Sequence, residues 1–267
     1  MMAAAIAARV HYLDITGEID VFEHASTLDA AARKANIVLC PGVGFDVIPT
    51  DCLALALKQA LPDASSLCLG FESHSLKSPG TAKTTVEGIG TGTRIRRDGK
   101  LRTEPIGLRA RYIDFGKGSR LAVAFPWGDV STAFKTTGIP SITVFVAVTR
   151  GFRWAMLASN LLAPLLRLPA IRDRMLANAG AAIGPDAAAR QNAPTYLWGE
   201  VRNPSGEIRT ARIRTANGYE VTIHGALAVL RHIMGRANFA PGFVTPALLC
   251  GATLIEQLPG SGNIEFA

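Results

Sequence analysis

Two strand-turn-helix blocks near the start of the chain constrain the fold most. His11-Tyr-Leu-Asp-Ile-Thr-Gly-Glu18 reads as a strand over residues 11–15 ending in a small-residue turn. Asn36-Ile-Val-Leu-Cys40 reads as a second strand. It runs into Pro41-Gly-Val-Gly-Phe-Asp-Val-Ile-Pro-Thr-Asp51 and an apolar helical stretch to Leu61, closed by Pro62. A short strand with no polar position belongs in a parallel sheet covered on both faces. Parallel neighbours joined through a helix require a right-handed crossover. The pattern is the second half of a doubly wound sheet. It arrives at residue 11 with no first half before it, so the expectation is a chain whose front end is missing.

Around these blocks, residues 1–9 read as an Ala-rich helix. Residues 18–35 hold one or two short helices, with Ser26 or Thr27 as N-cap before Leu28. After Pro62 the pattern changes. Leu67–Phe71 predicts a strand and Gly80–Gly88 a helix. Thr93–Arg96, Ala110–Phe115, Arg120–Phe125 and Ile142–Val148 alternate with period two, and Asp98-Gly99 and Lys117-Gly118 supply turns. Residues 151–177 read as helical. Two strands flank the hairpin signal Asn203-Pro-Ser-Gly206, and Tyr219–Gly235 is a helix with a glycine C-cap. The fold class is therefore α/β plus α+β: an incomplete parallel sheet unit, then an α+β domain with a mostly antiparallel sheet. The expected boundaries are 1–62, 63–240, and a tail 241–267 that packs back on the first unit.

With 48% hydrophobic and 18% charged residues, the chain has the material for a sizeable core, which excludes disorder. The formal charge of +7 allows an anionic partner such as a phosphorylated cofactor or an acidic lipid surface. Its one basic cluster, Arg94, Arg96, Arg97, Lys100 and Arg102, reads first as a solvated face. No nucleic-acid-binding motif accompanies it. Cys40, Cys52, Cys68 and Cys250 lie in apolar runs without C-x-x-C spacing and read as buried thiols of a reducing, cytoplasmic compartment. The five histidines show no ligand spacing, so no metal site is expected. Trp154–Leu166 is 13 residues without a charge, bracketed by Arg153 and Arg167. It is short for a bilayer span. A buried helix or lid is preferred over peripheral membrane contact through 151–170.

Chemistry is expected where the two parallel strands end, because open α/β sheets bind ligands there. Gly42 and Gly44 would let backbone approach a ligand, and the following helix would point its amides at an anionic group. Asp46, Thr50 and Asp51 would otherwise cap those amides. Thr16, Gly17 and Glu18 end the neighbouring strand, and Asp14 and Glu18 would orient an amide or sugar hydroxyl. Gly88-Ile-Gly-Thr-Gly92 is rejected as a phosphate loop, because a helical stretch precedes it and a hairpin follows. Ser78-Pro-Gly-Thr81 with Thr84, Thr85 and Glu87 reads as a polar helix start, and Asp129 as an N-cap for Val130–Lys135. Tyr219 and His224 read as structural. No G-x-S-x-G or Cys–His pairing supports a hydrolase.

Five runs together resemble the saccharopine dehydrogenase-like oxidoreductases. They are Tyr12–Glu18, Pro41–Asp51, Gly80–Glu87, Pro126-Trp-Gly-Asp129 and Pro241-Gly-Phe-Val-Thr-Pro246. The likeness points to the short bacterial branch that includes the trans-acting enoyl reductases. It implies a Rossmann-like domain binding NADP(H) or NAD(H), a second domain over the nicotinamide, and hydride transfer to or from a C=N or C=C bond. It places cofactor contacts on Thr16, Gly17, Glu18, Gly42, Val43, Gly44, Phe45 and Asp46, and it assigns no catalytic acid or base. The family's first strand and its glycine-rich pyrophosphate turn have no counterpart here. Two readings follow. One is the C-terminal part of an NAD(P)H-dependent reductase acting on a small-molecule or acyl, lipid-like substrate. The other is a catalytically silent binding or membrane-associated module, which would pair its open sheet edge with another copy.

Overall fold

The computed structural model describes residues 1–73, 92–166, 168, 171, 173–175, 177, 193–235 and 239–267. The helix expected over Gly80–Gly88, the polar stretch Ser78–Glu87 and all of the Gly88–Gly92 run except Gly92 lie outside these residues. The chain opens with α1 (Met2–Ala8), β1 (Tyr12–Leu13), α2 (Ile19–Thr27), α3 (Asp29–Ala35), β2 (Val38–Cys40) and α4 (Ile48–Ala60). Then come β3 (Ser66–Ser73), β4 (Thr93–Arg97), β5 (Lys100–Glu104), β6 (Ala110–Asp114), β7 (Ser119–Ala124), α5 (Asp129–Thr137) and β8 (Ser141–Ala147). The rest is α6 (Arg150–Leu166), β9 (Thr195–Arg202), β10 (Ile208–Thr215), α7 (Gly218–Met234), β11 (Gly242–Phe243), α8 (Pro246–Cys250), a 3-10 turn (Ala252–Gln257) and β12 (Glu265–Phe266).

Val38, Leu39 and Cys40 are fully buried, as a strand with no polar face must be. β2 is central in a small parallel sheet, order β1-β2-β11. Tyr12 pairs with Leu39, and Gly242 with Val38. The third strand thus comes from the far end of the chain. The strand predicted over 11–15 shrinks to Tyr12–Leu13, because Asp14 turns its carboxylate back onto the backbone. Ser26 and Thr27 end α2 rather than cap α3. Thr27 donates to the His24 carbonyl at 2.7 Å, which terminates the turn behind it.

Among the described residues the second sheet has nine strands, with path β12-β10-β9-β3-β8-β4-β5. β6 and β7 form a hairpin, and β7 joins the edge of β8. Most pairings are antiparallel, as the hairpin signals predicted. The exception is β3 with β8, which is parallel from Ser66↔Ser141 to Phe71↔Val146. β8 runs antiparallel to its other neighbours, β4 and β7.

α4 is buried on nearly every side and bridges the two sheets. Leu53 and Leu57 rest on β9, where a methyl at Gly199 would lie 2.5 Å from Leu57. The opposite face of the large sheet is covered by Ile113, Phe115, Ala122, Ala124, Phe145 and Trp198. The basic cluster is not one solvated face. Arg96 is only 5% exposed and donates to the Val130 carbonyl (2.6 Å), the Gly99 carbonyl (2.8 Å) and Glu23, with its guanidinium over the Phe134 ring. Arg94 pairs with Asp20. These contacts tie β4 to α2 and α5. Gly235 ends α7 as expected, but at a helical φ of −83° rather than left-handed.

In the stretch expected to form a buried helix or a lid, Met156 is buried but the outer face of α6 is open. Trp154 is 71% exposed and Leu161 85% exposed. Among the described residues no helix is long and apolar enough to cross a membrane.

Candidate active site at three converging helix starts

Three strand-to-helix turns meet where the two sheets join. β1 leads through Asp14–Glu18 into α2, β2 through Pro41–Val47 into α4, and β7 through Phe125–Gly128 into α5. Contact between the turns is close. A methyl at Gly17 would stand 2.6 Å from Asp46 Oδ2, and one at Gly128 would stand 2.8 Å from the Gly17 carbonyl oxygen. None of the three helices has a side-chain cap bond at its N-terminus. The N-terminal ends of the three helices thus lie beside one another, and the positive end of a helix dipole favours negative charge.

Asp14 holds the first two turns together. Its carboxylate accepts from the Thr16 amide (2.9 Å), the Gly42 amide (3.0 Å) and the Tyr12 hydroxyl (2.6 Å). The Val43 amide donates to the Asp14 carbonyl at 2.8 Å. Burial, then the bond and charge of Asp14, push the Tyr12 phenol up to about 12. Asp14 is thus an internal brace that joins the two turns. Gly42 and Val43 present no spare amide.

The glycines sit in close contact with the rest of the chain. Gly42 has φ +81°, and a Cβ there would meet Val47 at 2.6 Å and the Phe22 ring at 3.0 Å. A Cβ on Gly44 would meet Thr222 at 3.1 Å. The chain's own packing excludes a side chain at both positions. The Phe45 amide donates to Thr222 Oγ1 at 3.0 Å, and Thr222 donates to the Gly218 carbonyl, which docks α7 on the turn.

Asp46 remains for chemistry. It is half-buried, and among the described residues no hydrogen bond reaches its carboxyl. Burial, then the charge of Glu18, lift it from 3.8 to about 6. Of the other predicted positions, Thr16 accepts the Glu18 amide at 3.2 Å and so shapes the start of α2, while the Glu18 side chain is exposed.

Thr50 and Asp51 do not cap α4. Thr50 bonds Asp129 across the turn at 2.8 Å. Asp51 faces the tail, accepting from Thr136 and from the Ala247 amide at 3.0 Å. Burial lifts Asp51 to about 6 against the opposing hydrogen bonds of Thr136, Thr245 and Ala247. Asp129 sits inside the first turn of α5, fully buried, not at its N-cap. Burial pushes its carboxyl well up, and the charges of Asp51 and Asp46 add to that.

An aromatic wall that the sequence reading missed lines the same junction. Phe45 stands edge-on to Phe71 (6.0 Å) and to Trp127 (6.5 Å), and Trp127 also meets Phe71 (4.7 Å) and Phe125 (6.3 Å). Trp127 Nε1 is buried with no hydrogen-bond partner among the described residues. The Pro126-Trp-Gly-Asp129 run was the available signal for this turn. Its partners lie on other elements, so spacing alone did not reveal the wall.

No protein-family profile matches the sequence, and no curated protein matches it significantly. Among solved structures, the apo saccharopine dehydrogenase (L-Glu forming) of Saccharomyces cerevisiae superposes over 100% of this chain and 81% of its own. The TM-score is 0.57 at 12% identity. The fold is therefore saccharopine dehydrogenase-like. GenD2 from gentamicin A biosynthesis, in complex with NAD, matches 97% of this chain and 70% of its own at 14% identity and a TM-score of 0.32. A dehydrogenase from Chromobacterium violaceum matches 81% and 52% at 11% identity and a TM-score of 0.26. At such TM-scores these two alignments carry no argument.

Proposed function

We propose that the chain belongs to a nicotinamide-dependent oxidoreductase that moves a hydride to or from a C=N or C=C bond. The reaction centre lies at the three converging turns. The observation that carries this reading is the meeting of three uncapped helix starts over the carboxyl ends of β1 and β2, with Asp46 among them. The saccharopine dehydrogenase-like fold supports it.

The residues fit one end of NADP(H) or NAD(H). Thr16, Gly17 and Glu18 on one side and Gly44, Phe45 and Asp46 on the other would hold the nicotinamide. Gly42 and Val43 shape the turn beneath, their amides already engaged with Asp14. The sequence has no G-x-G-x-x-G, so the fit extends to the nicotinamide and not to the pyrophosphate. The bound cofactor supplies the hydride. The chain supplies orientation, exclusion of water and a proton. With its carboxyl near 6, Asp46 is poised to hold and release that proton close to neutral pH. The wall of Phe45, Phe71, Phe125 and Trp127 suits an apolar substrate, which favours an acyl-type C=C bond and thus the enoyl reductase reading.

An NADPH fluorescence titration of the purified chain, with NADH as competitor, tests the proposal. Saturable binding that survives Asp46→Asn, with turnover in that variant losing its inflection near pH 6, is the expected result. A folded chain that binds neither nucleotide overturns it.

A further inference from the structure

α6 is built inside out for a helix that ends at water. Two of its polar side chains, Arg153 and Asn160, face the protein. Asn160 accepts the Ile106 amide at 3.1 Å and returns a bond to the Ile106 carbonyl at 2.9 Å. Arg153 Nε donates to the Gly107 carbonyl at 3.1 Å. Met156 packs inward against Gly107, where a methyl would stand 3.1 Å from its Cβ. The outward stripe is Gly151, Trp154, Ala155, Ala158, Leu161 and Leu162, all exposed and all apolar. At 100° per residue these positions share one face of the helix. Leu108 and Tyr112 widen the patch: Leu108 follows the loop that α6 grips, and Arg150 Nη2 donates to the Tyr112 hydroxyl at 3.2 Å. A contiguous exposed apolar face of this kind marks an interaction site rather than ordinary surface.

Charge selects the partner. α6 contains no acidic residue. Between residues 150 and 174 the sequence places Arg150, Arg153, Arg167, Arg172 and Arg174 against one acid, Asp173. The nearby Glu104 is already neutralised by a two-pronged pair with Arg109, at 2.7 and 3.0 Å. Exposed Trp and Tyr beside arginines on an apolar stripe are the chemistry of a membrane–water boundary. We infer that α6 is a membrane-docking element that lays Trp154, Leu161 and Leu162 into the surface of an anionic bilayer, with Arg150 at the headgroups. The helix lies in the interface and does not cross it. The inference stands independently of the proposed reaction, because none of its residues belongs to the three turns.

Flotation of the full chain with vesicles of phosphatidylcholine alone, or with one third phosphatidylglycerol, tests it. The expected result is co-flotation with the anionic vesicles that weakens at high salt. The partition coefficient should fall roughly tenfold or more in the Trp154→Ser, Leu161→Ser double variant, since two large apolar side chains no longer leave water. Both positions are exposed, so circular dichroism should show the variant folded. Trp154→Phe should still bind yet lose the blue shift of tryptophan emission that vesicles induce. Failure of the full chain to float, or flotation indifferent to headgroup charge, overturns the inference. So does a blue shift that persists in Trp154→Phe. A dimer in light scattering that the double variant splits, without vesicle binding, also overturns it and assigns the face to a second copy.

Discussion

Asp51 shows how one buried carboxyl joins three parts of the chain. It lies on α4, accepts from Thr136 on α5, and takes the Ala247 amide at the start of α8. Its folded value of about 6 lies above the ordinary 3.8, so folding favours its protonated form. The contribution to stability is fully present below about pH 4 and is lost as pH rises through about 6. A shift of that size corresponds to about 3 kcal/mol. Asp51→Asn should therefore flatten the urea-unfolding stability between pH 4 and 7, relative to the parent. A variant with the parent's slope would place the titration elsewhere. Arg96 makes the opposite case, a buried cation with its hydrogen-bond donors engaged. Arg96→Met keeps the volume but strands the Val130 and Gly99 carbonyls and Glu23. It should cost on the order of 3 kcal/mol, read as a lower urea midpoint.

Among the elements, α4 decides how the two sheets meet, and a glycine in β9 decides whether α4 fits. Gly199→Val would drive a side chain into Leu57 and Leu53. A destabilisation of about 1–3 kcal/mol is expected in thermal unfolding, with Leu57→Ala in the same chain relieving part of it. The legible elements were those whose signal is local. Residues 37–40 announced a buried strand by lacking any polar position, although the strand itself is Val38–Cys40, and Asn203–Gly206 announced a hairpin. Asp14 and Asp129 were misread because their partners, the Gly42 amide and Thr50, are 28 and 79 residues away in sequence. The parallel pairing of β3 with β8 was hidden for the same reason. Sequence spacing likewise does not show that Val47, Phe22 and Thr222 stand beside Gly42 and Gly44. Composition alone makes α6 read as a buried helix or lid. Its inward polar contacts with Ile106 and Gly107 reversed the faces.

At the scale of the whole molecule, residues 241–267 add a strand to each sheet. β11 supplies the third strand beside β2, β12 lies against β10, and Thr245 and Ala247 close the Asp51 network. Deleting residues 241–267 should leave the second edge of β2 bare and α4 uncovered. The expected outcome is a marked loss of soluble protein and of the cooperative thermal transition; a truncated chain that melts like the parent would contradict this architecture. The same arrangement bears on synthesis. A ribosome releases residue 38 some two hundred residues before residue 242, the partner that its strand needs. The first helices must therefore wait, half-assembled, while the central sheet folds behind them. Pairings of such long sequence separation form slowly and leave edges exposed meanwhile. A nascent chain of this design has reason to be met by chaperones near the exit tunnel until its last thirty residues emerge.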